Sequence, residues 1–141
     1  MKKKIFAICG LSNSGKSTTI RLVYDSLLST YKIPEQKNTI LRKDVYIILS
    51  INGVKIGIAS KGDPSTELAK RLSALKNAGC QLIICATRTR GETVDAVGNL
   101  KPYEVHWFEK VRVSDVSERN ESNMTLARRI VMEVKGHLKG K

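Results

Sequence analysis

The segment Gly10-Leu11-Ser12-Asn13-Ser14-Gly15-Lys16-Ser17-Thr18 has the residue types and spacing best suited to chemistry. It contains G-x-x-x-x-G-K-[ST] in full. Glycines let a backbone wrap closely and aim successive N–H groups at phosphate oxygens. A helix starting near Lys16 would add its positive N-terminal end. Lys16 would then reach the β- and γ-phosphates as a point charge. The Ser17 hydroxyl suits a magnesium ion. Gly10, Ser12, Asn13, Ser14, Gly15, Lys16, Ser17 and Thr18 are therefore the candidate nucleotide-binding residues.

Such a loop works only between a strand and a helix. Ile5-Phe6-Ala7-Ile8-Cys9 is a continuous apolar run, which predicts a strand buried on both faces as in a parallel sheet. After Gly15, residues Ile20, Val23, Tyr24, Leu27, Leu28 and Tyr31 recur at helical steps, with Pro34 beyond the end. Residues 35–43 read as a polar loop. Val45 to Ile51 and Val54 to Ala59 flank Asn52-Gly53, a strong hairpin signal. Pro64 opens a helix with Leu68, Leu72 and Leu75 on its buried face, and Gly79 ends it. Gln81 to Ala86 predicts another buried parallel strand, followed by a polar loop and a short helix through Val94 and Val97. Tyr103 to Val113 reads as a strand near the sheet edge, with Trp107, His106 and Phe108 packed on the sheet. Asn120 or Ser122 is the expected cap of a last helix facing inward with Ala127, Ile130, Val131, Val134 and Leu138.

On the motif at residues 10–18 the chain resembles the P-loop NTPase superfamily; the strand–helix pattern extends that resemblance more loosely over most of its length. The resemblance implies a three-layer α/β fold, a mostly parallel sheet with helices on both faces and one antiparallel hairpin, and binding of Mg²⁺ and ATP. In P-loop NTPases an acidic residue after a second buried strand usually holds the metal. The residue at that place is Asp63, shortly after Ile56-Gly57-Ile58-Ala59-Ser60, where it can also cap the following helix. Asp63 is thus the expected metal ligand with Ser17, and a catalytic residue with Lys16 and Arg90. Glu67, one turn later, can face the same cleft or solvent.

Arg88 and Arg90 lie in Thr87-Arg88-Thr89-Arg90-Gly91-Glu92, after a buried strand. Two arginines there can stack on adenine or clamp phosphates, as in similar loops of nucleotide kinases. Ser60-Lys61-Gly62-Asp63 also looks like a degenerate guanine-reading NKxD motif. In GTPases that motif comes later in the chain, and guanine reading here would leave no evident metal acid. Adenine is therefore the expected base. Arg112 and Arg119, near Asp115, are weaker positions for a lid.

Composition narrows the function classes. The chain has 141 residues, 41% hydrophobic and 27% charged, which suits one folded domain over residues 1–141. No run approaches the ~20 apolar residues of a membrane span. Lys2-Lys3-Lys4 and the apolar run behind it mimic a signal peptide, but the run is short and enters the glycine loop with no cleavage site, so it reads as a strand. Cys9, Cys80 and Cys85 form no CxxC, and His106 and His137 lie far apart, which argues against zinc and for reduced, buried thiols in a cytoplasmic protein. The net charge of +12 suits an anionic partner, nucleotide or nucleic acid, although the basic residues are spread out. The last helix carries Arg128, Arg129, Lys135 and Lys139 without a dense basic run.

The expected function is that of a small phosphotransferase resembling nucleoside or nucleotide kinases. An ATP-hydrolysing or ATP-sensing module acting on a macromolecule is the alternative. A binding module that keeps a nucleotide for structure, and a GTPase-like switch, stand behind these.

Overall fold

A computed structural model describes residues 3–11, 14–34, 40–41, 44–60, 65–89 and 91–139. The apolar run at the start forms β1 (Lys4–Cys9), in which Ile5 to Ile8 are fully buried. Helix α1 (Lys16–Thr30) follows the glycine loop and buries Ile20, Val23, Tyr24, Leu27 and Leu28. Three strands come next: β2 (Ile40–Leu41), β3 (Asp44–Ile51) and β4 (Val54–Ala59). Asn52 and Gly53 join the last two at φ 52° and 79°. Both angles are left-handed, as the tight turn of a twisted hairpin requires. Helix α2 (Ser65–Asn77), strand β5 (Leu82–Thr87), helix α3 (Glu92–Gly98), strand β6 (Glu104–Glu109) and helix α4 (Val116–Lys139) complete the order.

The sheet order is β2-β3-β4-β5-β1-β6. Strands β4, β5, β1 and β6 run parallel, while β3 pairs antiparallel with β4 and the two-residue β2 antiparallel with β3. Alternation along β1 sends side chains to two cores. Phe6 and Ile8 pack in one with Tyr24, Leu27, Ile130 and Val134, from α1 and α4. Ile5 and Ala7 pack in the other with Leu68, Leu72, Leu75 and Val97, from α2 and α3. Helices thus cover both faces of a mixed, mostly parallel sheet. Strand β4 and helix α2 approach closely at Gly57, where a β-carbon would lie 2.8 Å from Leu75 Cδ2.

Four local expectations change. Residues 40–41, inside the segment read as loop, are a short strand, while 35–39 and 42–43 lie outside the described residues. Strand β6 stops at Glu109, because its partner β1 turns away into the glycine loop. Their last pair is Cys9 with Glu109, and the Lys110 N–H still reaches the Cys9 carbonyl at 2.8 Å. Trp107 is 44% exposed instead of packed on the sheet, since β6 is an edge strand. His106 is half-buried against Phe6, and Phe108 is buried.

The cap of α4 is Asp115, not Asn120 or Ser122. Its Oδ1 accepts the Glu118 N–H at 3.0 Å, which starts the helix one turn earlier. Asp115→Ala is expected to cost about 1 kcal/mol of stability, while Asn120→Ala, at an exposed helical position, stays within about 0.5 kcal/mol. Urea unfolding of both variants checks this; equal losses would return the cap to Asn120.

Candidate functional site

The parallel strands β1, β5 and β4 end on one edge of the sheet. Cys9 pairs with Thr87, and Ala59 with Cys85, so the three ends are close in register. Ligand sites in open α/β sheets form at such carboxyl ends.

The loop leaving β1 is closely packed at Gly10 and at Gly15. The Gly10 N–H donates to the Thr87 carbonyl at 3.2 Å. A β-carbon on Gly10 would stand 2.5 Å from the Lys110 carbonyl oxygen and 2.8 Å from Ser14 Oγ. Gly15, at φ 100°, is the residue before α1, and a β-carbon there would overlap the carboxamide of Asn123. Only glycine satisfies both the angle and the space. The Gly15 carbonyl accepts the Thr19 N–H at 2.9 Å and the Thr19 hydroxyl at 2.8 Å, which anchors the first helical turn.

Lys16 folds back over this loop. Its Nζ donates to the Gly10 carbonyl at 2.6 Å and to the Thr87 carbonyl at 2.7 Å. The ammonium thereby ties the end of β1 to the end of β5. Ser17 Oγ donates to the Ser60 carbonyl at 3.3 Å, just beyond β4. Ser60 is itself held, since its N–H donates to the Val45 carbonyl and its Oγ accepts the Val45 N–H. Two hydroxyl- and carbonyl-bearing residues from α1 and the β4 edge therefore meet.

Arg88 is exposed at the end of β5, with its N–H donating to Thr93 Oγ1 at 2.9 Å. Thr18 is exposed and Ser14 is 1% exposed. Ser12, Asn13, Asp63 and Arg90 lie outside the described residues. Glu67 is engaged by Arg71 on α2 at 2.9 Å. Arg119 donates to the carbonyls of Val113 and Ser114, so it braces the start of α4.

Lys110 and Asn123 were missed by sequence reasoning. Lys110 follows the edge strand yet is 3% exposed, with Nζ donating to Ser122 Oγ at 3.0 Å and the Val111 carbonyl at 3.1 Å. Burial, and the nearby Arg119, push its pKa down. Beside it opens a cavity of about 410 Å³, lined in part by Glu109, Lys110, Glu118, Glu121, Ser122 and Arg129. For Asn123 a signal existed, because it continues the inward stripe of Leu126, Ala127 and Ile130 by one helical step.

The residues described at this edge carry groups that a magnesium-bound triphosphate would use. At Gly10 and Gly15 the backbone comes bare of side chains, because a β-carbon at either would meet the Lys110 carbonyl or the Asn123 carboxamide. Ser14 Oγ is a buried oxygen with no hydrogen-bond partner among the described residues. The Lys16 ammonium sits on the Gly10 carbonyl, and the Ser17 hydroxyl is a hard oxygen ligand of the kind magnesium takes. Among the described residues no group of three His, Cys, Asp or Glu could hold a metal, so any cluster of acids must draw on other residues. No helix among the described residues is long and apolar enough to cross a membrane.

The cysteines lie apart from this chemistry. All three are free thiols; Cys80 and Cys85 are buried, but Cys9 is only half-buried because it ends β1. Burial pushes the Cys85 thiol up to about 12 and raises those of Cys80 and Cys9, with Glu109 adding to the rise at Cys9.

Gly10→Ala is expected to cost about 1–3 kcal/mol, because the Lys110 carbonyl belongs to backbone and cannot swing aside. Chemical denaturation checks this, and a neutral result would mean that the loop approaches β6 less closely. Comparison of the chain with family models, curated proteins and solved structures found no match.

Proposed function

We propose that the chain binds Mg²⁺ and ATP on residues 10–18 and transfers the terminal phosphoryl group to a small acceptor. The observation that carries this reading is the position of Lys16, whose Nζ lies on the Gly10 and Thr87 carbonyls at the carboxyl edge of the central strands. The carbonyls hold a full positive charge beside Gly10, where a side chain has no room. That is a setting for a polyanion.

The roles follow from chemistry. Gly10, Ser12, Asn13, Ser14, Gly15 and Thr18 would hold the phosphates through the loop and the first turn of α1. Lys16 would neutralise the β- and γ-phosphates. Ser17 would ligate magnesium, together with Asp63, which follows Ser60 by three residues; the Ser17–Ser60 hydrogen bond supports that pairing. When bound, magnesium would withdraw charge from the phosphates and orient them. Arg88, next to the Thr87 carbonyl that receives Lys16, and Arg90 would clamp charge that builds up during transfer. The cavity beside Lys110 has space for a nucleoside portion.

A second reading keeps the site and replaces transfer by hydrolysis coupled to a macromolecule. The exposed Val111, Val116, Met124 and Met132, with a net charge of +12, favour it. A screen of nucleosides, nucleotides and other small acceptors with labelled ATP separates the two, since only a transferase moves the label to an acceptor.

Lys16→Ala is expected to weaken binding of Mg²⁺ and ATP by about tenfold to a hundredfold while the fold stays intact. Isothermal titration measures it, with GTP competing at equal concentration; ATP is the expected preference. Equal affinity of native and variant chains would end the assignment. Asp63→Asn is expected to spare much of the binding and remove most magnesium-dependent turnover. Unchanged phosphate transfer or release in that variant would leave Asp63 as a helix cap.

A further inference from the structure

Helix α4 reaches the glycine loop with one polar side chain. Asn123 shares the inward stripe of α4 and is 3% exposed. Packing alone asks for an apolar residue there, because a buried carboxamide is costly unless hydrogen-bonded. Asn123 Oδ1 is buried, and it has no hydrogen-bond partner among the described residues. It lies directly against Gly15.

The neighbouring Ser122 receives Lys110 Nζ at 3.0 Å, and the Lys110 carbonyl stands where a Gly10 side chain would begin. Both glycines of the loop therefore back onto one strut, made of Lys110, Ser122 and Asn123. Ser14 Oγ, in the same loop, is a second buried oxygen without a partner among the described residues. Buried polar groups in a settled structure are almost always bonded. Two orphaned oxygens against one stretch of backbone point to a second loop arrangement that satisfies them.

We propose that Asn123 is a positioning residue for polyphosphate binding, its carboxamide holding Gly15 from behind and pairing with the loop when an anion settles on it. This rests on the reading of residues 10–18 as a triphosphate site. Asn123 acts through the loop and not on the reacting atoms. Its contribution therefore follows the phosphates, whatever base they carry. A negative charge at the same position would repel the anion directly.

The test titrates native chain, Asn123→Ala and Asn123→Asp with inorganic tripolyphosphate and with ATP, both with magnesium, beside thermal melts of the unliganded proteins. Asn123→Ala is expected to lose about tenfold in affinity for both ligands alike, with an unchanged or higher melting temperature. Asn123→Asp is expected to bind more weakly still. Should Asn123→Ala fail to fold, Asn123→Ser carries the same comparison. Native-like tripolyphosphate binding by the variants would overturn the proposal. So would a loss confined to ATP, which would mean a nucleoside contact, or a loss that only tracks melting temperature, which would mean packing. If native chain binds neither ligand, the triphosphate reading fails and this proposal falls with it; if native chain binds and the variants match it, only the role of Asn123 fails.

Discussion

The Lys16 ammonium between the Gly10 and Thr87 carbonyls is the contact on which the candidate site depends. It joins the first residue past β1 to the last residue of β5, two strands far apart in sequence and adjacent in the sheet. Charge-assisted hydrogen bonds of this kind are stronger than neutral ones and fix direction as well as distance. They also set a condition on function. A polyphosphate must offer Lys16 more than these carbonyls do, and the Thr87 carbonyl would then keep the Gly10 N–H as a donor.

The fold makes that contact available. Four parallel strands place their ends on one edge, and two separate cores clamp β1 from both faces. With Ile5 to Ile8 fully buried, β1 cannot shift in register without breaking both cores. The loop therefore starts from a fixed point. It ends at a fixed point too, since α1 packs its buried stripe on the sheet and Gly15 meets Asn123. Lys110 and α4 form the wall behind it. The edge strand β6 and the final helix thus serve the loop, which explains why residues near the far end of the sequence line its back.

Much of the fold was legible because its signals are local. The apolar run of β1 could not face water on either side, and Asn52-Gly53 demanded two left-handed residues in a row. Gly10, Gly15 and Lys16 could be named from spacing alone. The misses are non-local. The end of β6 depends on where β1 turns away, which periodicity within β6 does not record. Asp115 lay one turn ahead of the residues read as caps, and its partner Glu118 was the available clue. Lys110 is buried by α4 and the glycine loop, so its own neighbours in sequence gave no warning. Asp63 and Arg90, with Ser12 and Asn13, lie outside the described residues, and the roles proposed for them rest on the sequence pattern and on the placement of Ser17 and Ser60.

The central claim is that residues 10–18 receive a triphosphate and that Lys16 exchanges protein carbonyls for phosphate oxygens. A crystal structure of the chain soaked with magnesium and a nonhydrolysable ATP analogue tests it most directly. The account predicts the triphosphate on this loop, with Lys16 Nζ moved from the Thr87 carbonyl onto the phosphates. An analogue bound elsewhere, or a loop left empty with Lys16 still on Gly10 and Thr87 at saturating ligand, would contradict it.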